Sequence, residues 1–179
     1  MQNMIGIVIL IIVIAGAALL AVGIIDGNRF VTVQKEFALS GLSKECRFVL
    51  LSDLHNKVYG TKNDKVIETI RSINPDFIVL AGDLVTSQVK EDMTPGIELI
   101  RALSQNYRIY YGLGNHESKM RQKPEQFGDK YDRLIRAVST KNVSILKNES
   151  AQLPAFNLKI TGLDLDLKYF AHFKIRKMQ

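Results

Sequence analysis

The 179-residue sequence contains one cysteine, no tryptophan and only three histidines. A lone thiol, Cys46, closes no internal disulfide, so the chain needs no oxidising compartment, though it is not excluded from one. There is no internal repeat, no low-complexity tract and no block of basic residues, and nothing argues for a nucleic-acid partner. The first 25 residues lack charge altogether.

That uncharged stretch is the first positive feature. Met4 to Ile25 reads MIGIVILIIVIAGAALLAVGII, and as a helix rising about 1.5 Å per residue it reaches about 33 Å, enough to cross a bilayer core. The competing reading is a cleaved signal peptide, with Ala21 to Gly23 loosely resembling a small-residue cleavage site. Against it, no Lys or Arg precedes the run, and the run exceeds a usual signal core in length, so a single-pass anchor in the cell membrane is expected. Arg29, Lys35 and Lys44 follow the span, and the positive-inside bias then points to a cytoplasmic soluble part. All 24 Lys and Arg and all 18 Asp and Glu lie beyond residue 25, so the net charge of +6 belongs to that part. Such a surface suits anionic lipid headgroups or phosphorylated substrates, although dispersed charges also make an ordinary soluble surface.

The pattern divides the chain into an anchor (residues 1–25), a tether with one short strand in FVTVQKEFAL (26–44) and a folded domain (45–179). In the domain, RFVLLSD, DFIVLAGD and RIYYGLGN are β-rich runs, each ending in a polar cluster. Two helices separate them. One is Asp64 to Ile73, with Val66, Ile67, Ile70 and Ile73 on one stripe and Asn63 as its cap; the other is Pro95 to Leu103, with proline in its first turn. Strand, helix, strand, helix, strand predicts an α/β fold built from parallel βαβ units, whose ligands bind beyond the carboxyl ends of the strands. A further helix is expected over Pro124 to Val138, then strands at VSIL (Val143 to Leu146) and NLKITGL (Asn157 to Leu163) forming a second sheet packed on the first.

The strand ends carry the chemistry. In DLH, Asp53 and His55 share one side of an extended segment and together form half a metal site. Asp83 in AGDL adds a carboxylate able to bridge two ions about 3.5 to 4 Å apart, with Gly82 permitting a tight turn. In GLGNHES, Asn115 offers an amide oxygen and His116 follows at once; on an extended chain only one of them readily ligates a given ion, leaving the other to face substrate. Each cluster alone is an ordinary turn. Three at successive strand ends are not explained that way.

DLH, GDL and GNHE, in this order on a βαβ frame, resemble the first three motifs of the calcineurin-like metallophosphoesterases, and the apolar N-terminus, INPDFIVLAGDLV, ILKNES and ITGLDLD resemble a membrane-anchored bacterial subgroup. The resemblance implies an incomplete four-layer αββα sandwich and two divalent ions (Mn, Fe or Zn) that assist in-line hydrolysis of a phosphate mono- or diester. It implies Asp53 and His55 on the first ion, Asp83 bridging, Asn115 on the second, His116 as a catalytic, non-ligating histidine at the leaving oxygen, and Glu117 supporting from behind. The family completes its site with a later isolated histidine and a Gly-His-x-His motif; here only His172 remains, in YFAHFKIRK, without a strand-end glycine. The chain is therefore expected to hold at most one ion well, to turn over little on its own, and to behave as a truncated member. The alternative is a non-catalytic, membrane-anchored remnant that binds a metal or a partner.

Overall fold

The computed structural model describes residues 2–169 and divides into two units between Phe37 and Ala38. The first unit is α1 (Gln2–Gly27) and the irregular stretch after it. Within α1, Ile5–Gly27 is long and apolar enough to cross a membrane and buries none of its surface against protein. The alternation in FVTVQKEFAL does not produce the expected strand: residues 30–39 form no ladder, and Val31, Val33, Phe37 and Leu39 are exposed. Alternation alone gives no strand without a neighbouring edge to satisfy its backbone.

In the second unit β1 (Phe48–Leu51), β2 (Phe77–Ala81), β3 (Ile109–Gly112) and β4 (Val143–Leu146) lie side by side in that order, every pair parallel. The crossovers are α2 (Asp64–Ile73), α3 (Thr94–Leu103) and a helical run of α4 (Asn115–Gln122), α5 (Pro124–Phe127) and α6 (Lys130–Val138). The continuous helix expected over 124–138 is broken at Gly128, whose φ of 57° no helix accommodates. Asn63 stands at the N-cap of α2 as expected, its carbonyl accepting from the Ile67 N–H at 3.0 Å, but it is left-handed and makes no side-chain cap bond: its side-chain oxygen accepts from the Tyr59 N–H at 3.0 Å.

Alternation along the strands sorts two cores. Ile78, Leu80, Ile109 and Tyr111 are fully buried on one face, as are Leu99, Ile100 and Leu103 of α3 and Leu134 and Val138 of α6. On the other face Phe77, Tyr110 and Leu146 form a cluster with Leu153, against which Ala151, Leu158 and Ile160 pack. These last residues come from β5 (Glu149–Leu153) and β6 (Leu158–Gly162), an antiparallel pair that makes the second sheet. VSIL thus belongs to the first sheet, paired with β3, and β5 takes the place in the second sheet that the sequence reading gave it. Gly162 sets how closely the sheets meet, since a Cβ there would stand 2.3 Å from the Leu146 carbonyl oxygen. The described layers are helices, parallel sheet and antiparallel pair.

Candidate metal centre

Register brings the three polar clusters to one edge. Leu51 pairs with Leu80 and Ala81 with Gly112, so the chain leaves β1, β2 and β3 at their carboxyl ends side by side. The departing segments remain bonded to each other: Asp53 N–H donates to Gly82 O (3.3 Å), His55 N–H to Asp83 O (3.0 Å) and Asn56 N–H to Leu84 O (3.0 Å). To do so the first segment abandons extended geometry. Asp53, His55 and Asn56 have φ of 54°, 47° and 57°, a conformation costly for ordinary side chains and frequent at functional sites. Asp53 and His55 therefore share a side through a left-handed turn rather than through the expected period-two extension.

The third segment also differs from expectation. Asn115 opens α4 directly, so Asn115 and His116 project about 100° apart from a helical first turn instead of to opposite sides of a strand. The His116 N–H donates to Asp83 Oδ1 at 2.9 Å. Two glycines allow the approach: a Cβ on Gly82, itself at φ 81°, would lie 2.4 Å from Gly114 Cα, and one on Gly114 would lie 2.3 Å from both Asp83 N and Asp83 Oδ1.

Glu117, one turn into the same helix, is fully buried beneath these loops. Its carboxylate accepts from Asp83 N–H (2.9 Å), Gly114 N–H (2.9 Å), Val85 N–H (3.4 Å) and the Tyr111 hydroxyl (2.9 Å). The Gly114 bond is the reciprocal half of a capping box, here without a side-chain partner, since glycine has none. Four donors from two loops and a strand make Glu117 the pin that locks Asp83 to the start of α4. Burial, and then the Glu117 charge, push the Tyr111 hydroxyl well above the ordinary tyrosine range. A second pin lies at the far end of α4, where Ser118 Oγ–H donates to buried Asp164 at 2.6 Å and Arg121 pairs with it at 2.7 Å, joining the helix to the segment after β6.

Ligand-type atoms of His55, Asp83 and His116 lie within 4.8 Å of one another. Asp53 sits to one side, its Oδ1 3.8 Å from His55 Nε2 and its side chain 66% exposed, with Ser52 Oγ donating to its other oxygen. The Asn115 amide is 3.1 Å from Asp83 Oδ2. With its nitrogen turned inward that is a hydrogen bond, and the amide oxygen then accepts from the His116 N–H at 3.2 Å; with its oxygen inward, two acceptors face each other, a pair that a bound cation or a proton would reconcile. His55 Nδ1 is buried without a hydrogen-bond partner. His55, with its Nδ1 orphaned and its Nε2 3.8 Å from the Asp53 carboxylate, joins the Asp83 and Asn115 oxygens in a donor set that fits a divalent ion of borderline to hard ligand preference. His116 is different, because its Nδ1 is already taken by the Ser87 N–H at 2.8 Å. His172, the remaining sequence candidate, lies outside the described residues.

Sequence reasoning missed Ser87 and Tyr111. A main-chain donor carries no residue signature, so Ser87 offers none. Tyr111 did offer a signal: in a buried strand a hydroxyl that phenylalanine would lack needs a partner.

An α/β domain with a His/Asp/His cluster at the carboxyl edge of a parallel sheet has the architecture of the metallophosphoesterases. Residues 46–170 match the calcineurin-like phosphoesterases, and the chain belongs to that family, whose members bind divalent metals. Over 81 residues it is 31% identical to an uncharacterized metallophosphoesterase of Campylobacter jejuni, covering 44% of this chain and 21% of that protein. Over 82 residues it is 33% identical to a transmembrane protein with metallophosphoesterase domain of Danio rerio, covering 45% of this chain and 18% of that protein. The matched segment spans about a fifth of each relative's length.

Proposed function

We propose that this chain is a membrane-anchored, metal-dependent phosphoesterase that acts on a phosphate mono- or diester, with Asp83 set between two cation positions. One position draws on Asp53, His55 and Asp83, the other on Asp83 and Asn115. The convergence of His55, Asp83 and His116 at the ends of neighbouring parallel strands carries the reading. Divalent ions, if held by these residues, would supply positive charge for phosphate oxygens and would lower the pKa of water. The protein's own part is to fix the ligands and to present His116 to an ester oxygen, a contribution commonly worth about 10² to 10⁴ in rate when the group also moves a proton. The first position has the richer ligand set, so it is the one this chain holds firmly.

The anchor is α1, and the net charge of +6 beyond residue 25 favours a phosphorylated substrate near an anionic membrane surface. The narrowing to a lipid or envelope ester rests on that location. The positive-inside bias of Arg29, Lys35 and Lys44 favours a cytoplasmic domain. Full-length protein should sediment with membranes, and a form lacking residues 1–25 should not.

The functional test is calorimetric titration of the full chain with Mn²⁺, paired with hydrolysis of bis-p-nitrophenyl phosphate. One firmly held equivalent, lost in Asp83→Ala, is the expected result, with any turnover dependent on Mn²⁺ and abolished by Asp83→Ala and His116→Ala. Absence of specific binding, or turnover indifferent to Asp83, would overturn the proposal. Binding without any turnover would favour the non-catalytic reading, to which the exposed apolar face of β1 also belongs, with Phe48 44% and Leu50 60% exposed.

A further inference from the structure

His55 and His116 both stand close to Asp83, yet the two rings are held in opposite ways. His55 Nδ1 has no hydrogen-bond partner, whereas His116 Nδ1 receives the Ser87 N–H at 2.8 Å and has Ser87 Oγ 2.9 Å away. A hydroxyl can turn to donate or accept. A main-chain N–H can only donate, so the nitrogen opposite it must present a lone pair, and the ring proton then resides on Nε2. Among the described residues His116 Nε2 makes no hydrogen bond to protein.

We propose that the Ser87 backbone is a positioning element that fixes His116 as its Nε2–H tautomer, the state in which the ring serves the non-ligating, ester-facing role that the family resemblance implies. The role as a substrate-facing donor rests on the phosphoesterase reading; the tautomer does not. With Nδ1 occupied and Nε2 protonated, neither nitrogen has a lone pair to offer a metal, so the cation is left to His55, Asp83 and the neighbouring oxygens.

Ser87 is itself well held. It is buried, and the loop is anchored on either side: Val85 N–H donates to Glu117 Oε1 at 3.4 Å, and the buried Lys130 Nζ donates to the carbonyls of Gln88 and Glu91, the latter at 2.9 Å. The His116 backbone is fixed from the other side by its bond to Asp83 Oδ1. Donor and acceptor are therefore both preorganised, and the same Glu117 carboxylate sets the two loops that carry them.

The test is ¹⁵N NMR of the full chain in lipid nanodiscs, labelled in histidine and in the backbone. With only three histidines in the sequence, His116 is assigned by the resonances lost in His116→Gln. The expected spectrum has a pyridine-like shift at His116 Nδ1, a pyrrole-like shift at Nε2, and a coupling across the hydrogen bond between Ser87 N and Nδ1. Ser87→Ala, which keeps the N–H and removes the hydroxyl, should leave all three unchanged. Added Zn²⁺ should shift a His55 nitrogen and leave the His116 tautomer as it was. A proton on Nδ1, an averaged tautomer, a change in Ser87→Ala or a His116 nitrogen that moves onto zinc would each overturn the inference. Ester hydrolysis by a chain with an averaged His116 would sink this inference and leave the phosphoesterase reading standing. The expected tautomer in a chain that takes up no zinc would do the reverse.

Discussion

The central strands and the edge strand of the parallel sheet bring similar ligand chemistry to one site but hold it very differently. Asp83 and His116, from the ends of β2 and β3, are tied to Glu117 through a buried bond and to Ser87 and each other through part-buried ones. Asp53 and His55, from the end of β1, have β2 on one side only; Asp53 is largely exposed and His55 is 37% exposed. A strand flanked on both sides delivers its side chains with the precision of two ladders, and an edge strand with the precision of one. The difference predicts that the Asp83 half of the site is fixed before any ligand arrives, and that the Asp53 half is completed by what it binds.

The largest effect that would break this contrast is steric. In Gly114→Ala the new Cβ meets the Asp83 backbone, and a loss of about 4 kcal/mol or more in stability is expected by chemical denaturation. Gly128→Ala, which meets nothing within 4 Å but sits at φ 57° and ψ −133°, outside the left-handed helical well, should cost less, about 1 to 3 kcal/mol. Equal losses in the two would mean that the loops do not meet as described. Next comes Glu117→Gln, which turns an amide NH₂ toward main-chain donors and should cost about 3 kcal/mol, with a parallel loss of metal affinity.

Tyr111→Phe sharpens the comparison through pH. Burial raises the folded-state tyrosine above its ordinary value of 10.0, so the folded protein keeps the proton where the unfolded chain releases it. That stabilisation is complete below pH 10 and is lost as pH rises toward the folded value. Lys130, lowered by its own burial, works in the opposite direction, so the difference between wild type and Tyr111→Phe isolates the tyrosine. The variant should lose about 1 to 2 kcal/mol at neutral pH and show a shallower decline above pH 10. Identical alkaline slopes would place the hydroxyl outside the Glu117 network.

Much of this was legible in the residues. Three apolar runs ending in polar clusters, separated by two helical stripes, are enough to predict parallel strands with a common carboxyl edge, and β1, β2 and β3 have that arrangement. What was not legible depends on partners rather than on patterns. FVTVQKEFAL alternates well but finds no edge. VSIL looks the same whether it extends the first sheet or starts a second, and its register against Ile109 to Gly112 decides. The start of α4 at Asn115 was hidden because GLGN reads as a strand terminus, and the helix begins there through the Glu117 capping contact. At the site, Asp53, His55, Asp83, Asn115 and His116 were all visible as residue types, but the main-chain donors that divide His116 from His55 were not.

Smaller effects separate the two halves of the site itself. Asp53→Ala should weaken Mn²⁺ binding about tenfold, roughly 1.4 kcal/mol, whereas Asp83→Ala should abolish it. Similar losses in both would erase the contrast between edge and centre. Smallest of all is Leu50→Ala on the exposed face of β1, expected to cost under about 1 kcal/mol.

The most direct measurement is anomalous X-ray diffraction from crystals of the full chain loaded with Mn²⁺. An anomalous peak is expected in contact with a carboxylate oxygen of Asp83 and a ring nitrogen of His55, with His116 turned to Ser87 and outside the coordination sphere. A peak held by His116, or by Asp53 without Asp83, would contradict that expectation.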